Sequence, residues 1–200
     1  MLSKPKYKIC KRLGNGVYEK CQTEKFALSE SRVKKTFKRR KNLSDFGRQL
    51  LEKQKVRYAY GITEKQLRKY VDSAVRTKDP ALELFKALET RLDNTIYRLG
   101  FAPTRRAARQ MVSHGHVTVN DKKMTVPSHI VKTGDTISVR EASKTKPLFV
   151  GNMDTITKHV VPKWLSVDSK KLTSSIKSVP EYSAIDSIFD FPAVFEFYSR

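Results

Sequence analysis

Between Thr63 and Gly100 the apolar residues recur at helical spacing, and after Gly115 the period drops to two. Leu67, Tyr70, Val71 and Ala74 stand at i, i+3, i+4 and i+7, which puts them on one helix face. Thr63 with Gln66 three residues on is a capping-box pattern for that helix. Asp79-Pro80 predicts the start of another, since proline is tolerated where the first N–H has no helical partner. Phe85, Leu88, Leu92, Ile96 and Leu99 continue as one stripe, and Gly100 suits the left-handed C-terminal position. Thr104 predicts the cap of a helix running to about Ser113. Val117 and Val119, then Val126, Ile130 and Val131, then Ile137 and Val139 read as short strands. Asn120-Asp121 and Thr133-Gly134-Asp135 supply turns between them.

The flanks are weaker in pattern. Packed helices are expected from near Ser44. Residues 1–42 have few large apolar side chains and a basic run, Lys34-Lys35-Thr36-Phe37-Lys38-Arg39-Arg40-Lys41. They read as an arm without its own core that orders on a phosphate surface. Residues 141–160 read as a linker, and 169–187 as Ser- and Lys-rich loops. Pro162-Lys163-Trp164-Leu165 restarts an apolar segment, and the end, Val194 to Tyr198, reads as a strand. The expected class is α+β: a mainly helical domain, a small module of two helices and short strands, and a basic N-terminal arm. The expected division is 1–42 arm, 43–88 helical domain, 89–161 module and linker, and 162–200 packing back on the helical domain.

Charge narrows the function. Lys and Arg number 41 against 20 Asp and Glu, a formal net charge of +21. An excess this large repels itself when compact and calls for a polyanion. The apolar runs are too short to span a membrane. The start, Met1 to Lys6, lacks the apolar stretch of a secretory signal. Two cysteines, Cys10 and Cys21, do not make a disulfide framework, so a reducing, cytoplasmic setting is expected.

The strongest candidate chemistry lies on the helix after Thr104. Arg105, Arg106 and Arg109 share one side, while Ala107, Ala108, Met111 and Val112 take the other. Packing of the apolar side is expected to hold the guanidinium groups outward, where their planar forks suit phosphates. His114 and His116 flank Gly115 at a turn where RNA backbone could approach closely. No Gly-rich phosphate loop, metal cluster or nucleophile–base pair stands out.

The run from Arg91-Leu92-Asp93-Asn94-Thr95 through Pro103-Thr104-Arg105-Arg106-Ala107-Ala108-Arg109-Gln110 to Val117-Thr118-Val119-Asn120 resembles the RNA-binding domain named after small-subunit ribosomal protein four. That module also occurs in some aminoacyl-tRNA synthetases and pseudouridine synthases, so alone it marks RNA binding. Leu43-Ser44-Asp45-Phe46-Gly47-Arg48, Glu64-Lys65-Gln66-Leu67-Arg68-Lys69-Tyr70, Pro162-Lys163-Trp164-Leu165 and the terminal Glu196-Phe197-Tyr198 resemble the rest of the ribosomal family. The resemblance is close over 43–140 and patchy beyond. It implies binding to small-subunit (16S-type) rRNA early in assembly, contact with ribosomal protein five of that subunit, and an influence on decoding accuracy. A pseudouridine synthase and a free RNA chaperone are the alternatives. Arg91-Leu92-Asp93 resembles the synthase catalytic triplet, but the chain lacks room for that large catalytic sheet. The missing long transit extension favours a bacterial over an organellar ribosome.

On this reading the expected rRNA contacts are Lys34, Lys35, Arg39, Arg40, Arg48, Lys53, Lys55, Arg57, Arg68, Arg98, Thr104, Arg105, Arg106, Arg109, Gln110, His114, Gly115, His116, Asn120, Lys122 and Lys123. The C-terminal stretch carries Asp186, Asp190 and Glu196 among many aromatics, with no Lys or Arg until Arg200. It suits a protein neighbour, through Phe195, Phe197 and Tyr198. No catalytic residue and no cofactor are expected. Many family members bind zinc with four N-terminal cysteines. Here Tyr7 and Phe26 occupy two of those spacings and no histidine precedes His114, so no metal is expected.

Overall fold

A computed structural model describes residues 5–32, 43–146, 149, 159–168, 171–183 and 188–199. Its elements, in chain order, are helices α1 (Lys6–Leu13), α2 (Glu24–Ser31), α3 (Asp45–Ala59), α4 (Glu64–Ala74), α5 (Pro80–Glu89), α6 (Leu92–Arg98) and α7 (Arg105–Ser113). Strands β1 (Val117–Val119), β2 (Lys122–Met124) and β3 (Thr136–Val139) follow, then the short helix α8 (Glu141–Lys144), β4 (Leu165–Asp168), β5 (Thr173–Ile176) and helix α9 (Phe191–Tyr198). The α+β class holds. The chain divides into two compact units, residues 1–81 with 183–200, and residues 82–182.

In the first unit α9 packs on α3. The helix at the chain's end is a departure from the expected strand. Asp190 caps it by accepting the Ala193 N–H at 3.2 Å, and proline sits in its first turn. Pro192 loses nothing there, because first-turn N–H groups have no helical acceptor. The expected capping box on α4 is present in both directions. Thr63 Oγ1 accepts the Gln66 N–H at 3.3 Å, and Gln66 Oε1 accepts the Thr63 N–H at 3.2 Å.

The arm reading also needs correction over residues 5–32. Helices α1 and α2, joined by two single 3-10 turns, enclose a small cluster of Cys10, Cys21 and Phe26, with Tyr7 and Tyr18 against it. Cys10 and Cys21 form a disulfide, where none was expected. The Tyr7 and Phe26 rings stand 5.4 Å apart. A disulfide and two aromatic rings are the wrong donor set for a closed four-ligand zinc site, which needs thiolates or imidazoles. Apolar packing occupies that corner instead.

The second unit has a five-stranded antiparallel sheet in the order β2-β1-β3-β5-β4. Asn120 and Asp121 both have positive φ, 49° and 61°, as a two-residue type I′ hairpin requires. Val117, Val119, Ile137 and Val139 point from one sheet face into a core completed by Leu92 and Ile96 of α6, Leu99 just after it, and Met111 and Val112 of α7.

Several expectations fail in this unit. The single stripe from Phe85 to Leu99 is two helices, broken at Thr90-Arg91. There the extended Arg91 pairs with Ile130: the Val131 N–H donates to Thr90 O at 2.9 Å and the Leu92 N–H to His129 O at 2.8 Å. That bridge replaces the strand expected at 130–131, and Val126 lies in an exposed loop. The loop expected at 169–187 contains β5, which sits between β3 and β4. Its polar residues hide it from a hydrophobic pattern: Ser174 is buried but donates its hydroxyl to Ile137 O at 3.3 Å. Consequently residues 162–182 belong with the module and not with the helical unit. Within the expected linker, α8 forms and Phe149 is fully buried in the module core.

Candidate nucleic-acid interface

Helix α7 starts where Thr104 Oγ1 accepts the Ala107 N–H at 3.1 Å, so Thr104 is a structural cap. The three arginines after it do not share one fate. Arg105 Nε donates to Asn94 Oδ1 at 2.8 Å, and its guanidinium stacks 4.4 Å from the Tyr97 ring. Arg109 lies 3.6 Å from Asp93, an ion pair too long for a hydrogen bond. Arg106 is exposed. The outward side of the helix is therefore Arg106, Gln110 and Ser113, all exposed at i, i+4 and i+7.

Behind this face lies a buried polar lattice. Arg91 is fully buried and donates to Asp93 twice, at 3.0 and 2.7 Å. This fork matches a carboxylate. Asp93 thus anchors arginines, and the synthase-like triplet sits at the start of α6, not in mid-helix. Arg98 makes a second bidentate pair with buried Glu89, both bonds at 2.8 Å. Asn94 Nδ2 also donates to Glu89, at 2.9 Å, while its oxygen serves Arg105. Arg98, Arg105 and Arg109 spend much of their charge on these acceptors.

The exposed face continues at the end of α7. His114 is exposed and Gly115 turns the chain with φ 70°. The space over Gly115 is filled by the Lys123 stem, because a Cβ there would stand 2.3 Å from Lys123 Cε. The close backbone approach expected at Gly115 is thus taken by Lys123, which brings the β1–β2 hairpin cation onto the helix end. His116 Nδ1 lies 3.0 Å from the Ser143 hydroxyl. Burial lowers its pKa, and the positive charges of Lys146, His114 and Arg140 lower it further. A neutral imidazole amid cations marks a locally positive potential. Lys146 and Arg140 were missed in the sequence because they fall beyond the periodic elements. Lys122 and Lys123 are exposed.

Asn120 is a different case. Its Nδ2 donates to Asp135 at 2.8 Å and its Oδ1 accepts the Thr136 N–H at 2.9 Å, so it clamps two turns together. The Asp135 carboxyl is held below its ordinary pKa, first by the Lys132 N–H at 2.7 Å, against burial, and then by Asn120.

In the helical unit, Arg48 is exposed and pairs with Asp45 at 3.4 Å, and Arg68 is exposed. Lys55 is tied to Glu52. Lys53 does not face outward: it is buried, donates to Glu64 at 2.9 Å and sits 4.1 Å from the Phe197 ring. Arg57 reaches Glu64 at 3.3 Å. Tyr198 donates its hydroxyl to the same carboxylate at 2.6 Å. Burial would raise the Glu64 pKa, but the bonds from Tyr198 and Lys53 and the charges of Lys53 and Arg57 hold it below the ordinary value. Tyr198 is pushed well above the usual phenol range by burial and by that carboxylate. Phe195 and Phe197 are half-buried, and the Phe197 ring lies 5.5 Å from Phe46. The residues expected to meet a protein neighbour thus serve the chain's own packing at least in part. Lys34, Lys35, Arg39 and Arg40 lie outside the described residues. Among the described residues no group of three or more His, Cys, Asp or Glu is placed to hold a metal, and no helix is long and apolar enough to cross a membrane.

Comparison with known proteins agrees with this architecture. The profile for the ribosomal protein S4/S9 N-terminal domain matches residues 1–89, and the S4 domain profile matches residues 90–137. Small ribosomal subunit protein uS4 of Chromobacterium violaceum is 47% identical over 163 residues, covering 81% of this chain and 79% of that protein. The uS4 protein of Acetivibrio thermocellus is 40% identical over 199 residues, covering 96% of each. That of Aquifex aeolicus is 42% identical over 166 residues, covering 81% and 79%. With both profiles and near full-length relatives in agreement, the chain belongs to the uS4 family of small ribosomal subunit proteins.

Proposed function

We propose that this chain binds small-subunit rRNA through the exposed cations of the module, with the buried arginine lattice setting their positions. As a uS4 family member it is a structural constituent of the small ribosomal subunit and not an enzyme. The observation that carries the rRNA surface is the split among the cations after Thr104. Arg105 and Arg109 are engaged internally, while Arg106, Gln110, His114, Lys122 and Lys123 face outward. Outward guanidinium and ammonium groups on a rigid frame release counterions when they neutralise phosphates, which makes binding strongly salt-dependent. RNA is recognised largely by shape and junctions, so a fixed spacing of cations is itself a readout. In the same reading Lys34, Lys35, Arg39 and Arg40 of the basic run, and Arg48, Lys55, Arg57 and Arg68 of the helical unit, are further rRNA contacts.

The resemblance further suggests early binding during assembly of the subunit body and an influence on decoding accuracy. Ribosomal protein five is the proposed protein neighbour. Support for a protein contact near α9 is its composition: half-buried Phe195 and Phe197, the latter beside exposed Phe46, with no Lys or Arg from 183 to 199. Footprinting of the purified protein on a small-subunit rRNA transcript tests the rRNA reading. Protection at one compact junction is expected. Uniform, sequence-independent protection would overturn it.

A further inference from the structure

Where α1 crosses α3, within the first unit, the surface forms a cleft of about 490 Å3. That volume is ordinary for a small-ligand site, roughly 300–1,000 Å3. Its lining combines two kinds of side chain. Lys8 and Arg12 supply positive charge, joined by Arg57 from its pair with Glu64, and among the described residues no carboxylate lines the cleft. Leu13 and Leu50 supply an apolar wall, with Tyr58 beside them. Arg57 lies over the Tyr58 ring, 4.9 Å from its centre. Two polar atoms of lining residues, Gln54 Oε1 and Arg57 Nε, are buried without a hydrogen-bond partner. A buried polar group without a partner is costly unless a ligand or water meets it.

A flat apolar body carrying a negative charge fits this lining. We infer that the cleft between α1 and α3 receives one unstacked nucleotide of the bound rRNA, its base against Leu13, Leu50 and Tyr58 and its phosphate on Lys8, Arg12 and Arg57. The inference rests on the rRNA-binding reading above and adds a site to it. Single-stranded RNA is recognised in this manner: bases leave the helix, stack on aromatic rings or guanidinium planes, and offer their edges to polar groups. An acidic protein segment would use the cations but leave the apolar wall without a flat partner.

Leu50→Trp fills the cleft without changing charge, and Arg12→Ala removes an exposed cation without touching the apolar wall. Both are made in the full chain and titrated with full-length small-subunit rRNA transcript at several salt concentrations. Leu50→Trp is expected to weaken binding about tenfold or more, as loss of one stacked base does, with the salt slope unchanged. Arg12→Ala is expected to lower the log–log slope by about 0.7–0.9. Wild-type affinity in both variants overturns the cleft and leaves the broader reading intact. Failure of the wild-type chain to bind the transcript overturns that broader reading instead. If Leu50→Trp does not fold, as judged by thermal unfolding, Arg12→Ala decides, and an unchanged slope overturns the proposal.

Discussion

The two units solve the same problem, ordering a chain of net charge +21, at different ranges along the sequence. The module neutralises part of its own charge from within. Glu89, Asp93 and Asn94, neighbours in sequence, engage Arg91, Arg98, Arg105 and Arg109. The helical unit also pairs cations locally, Lys53 and Arg57 on Glu64, but adds bonds between residues far apart in the chain. Gln49 donates to Glu196 at 2.8 Å across 147 positions, and Tyr198 reaches Glu64 across 134. One unit is stapled locally and the other at long range as well. The comparison teaches that counting arginines does not give surface charge, because burial and acceptors decide which cations remain for a partner.

The largest effect expected from breaking this contrast is at Arg91. Arg91→Ala leaves the Asp93 carboxylate buried with only the longer Arg109 contact, and removing one partner of a buried pair costs about 3–5 kcal/mol. Urea unfolding of the variant checks this, and a loss under about 1 kcal/mol would mean that the lattice is not structural. The long-range staple comes next. Deleting residues from Phe195 on removes the Phe197 and Tyr198 contacts to α3 and α4. The expected loss is about 3–5 kcal/mol, from partial apolar burial and two hydrogen bonds to carboxylates, Gln49 to Glu196 and Tyr198 to Glu64. Amide exchange should show it in α3 and not in the module. A normally stable truncation with increased misreading in a reporter assay would return α9 to a purely protein-contact role.

The N-terminal corner sharpens the contrast further. Cys10→Ser with Cys21→Ser places two hydroxyls in a site where each cysteine is 2% exposed. About 2–4 kcal/mol should be lost, because the disulfide cross-link goes and two hydroxyls are buried in its place. Faster amide exchange confined to residues 5–32 would register it, and unchanged exchange would mean that the aromatic pair suffices.

Legibility followed the same division. The caps at Thr63 and Thr104 and the turn at Asn120-Asp121 were readable, because each is set by residues three or fewer apart. So was the apolar face of α7. The break at Arg91 was not, since it depends on Ile130 pairing across the fold. Strand β5 was hidden because its Thr-Ser-Ser run satisfies its polar atoms through sheet partners instead of burying apolar ones. Helix α9 read as a strand because aromatic residues at alternate positions mimic a period of two; its Asp190 cap and Pro192 carried the contrary signal. At the candidate site, the identity of the cations was legible, but their division into engaged and outward-facing was not. Arg105 and Arg106 are adjacent and chemically identical, and only Asn94 and Tyr97 separate their fates.

A smaller effect concerns pH. The folded Glu64 pKa lies below its ordinary 4.5. Its contribution to stability is therefore present above the unfolded value and is lost as pH falls through the folded one. Tyr198→Phe removes one of the bonds that lowers it. The variant should lose on the order of 1 kcal/mol at neutral pH and show a shallower decline on acidification. Denaturant titrations from pH 6 downward check the sign, and a steeper decline in the variant would contradict it.

The smallest change in stability and the clearest change in function are expected at Arg106. Arg106→Ala should alter unfolding by no more than about 0.5 kcal/mol, as surface substitutions do. The direct test of the account is the salt dependence of small-subunit rRNA binding, measured for Arg106→Ala combined with Lys123→Ala beside the wild-type chain. The log–log slope should fall by about 1.4–1.8, two lost phosphate contacts, with folding unchanged. A slope equal to wild type in a folded double variant would contradict the claim that the outward cations of the module hold the rRNA.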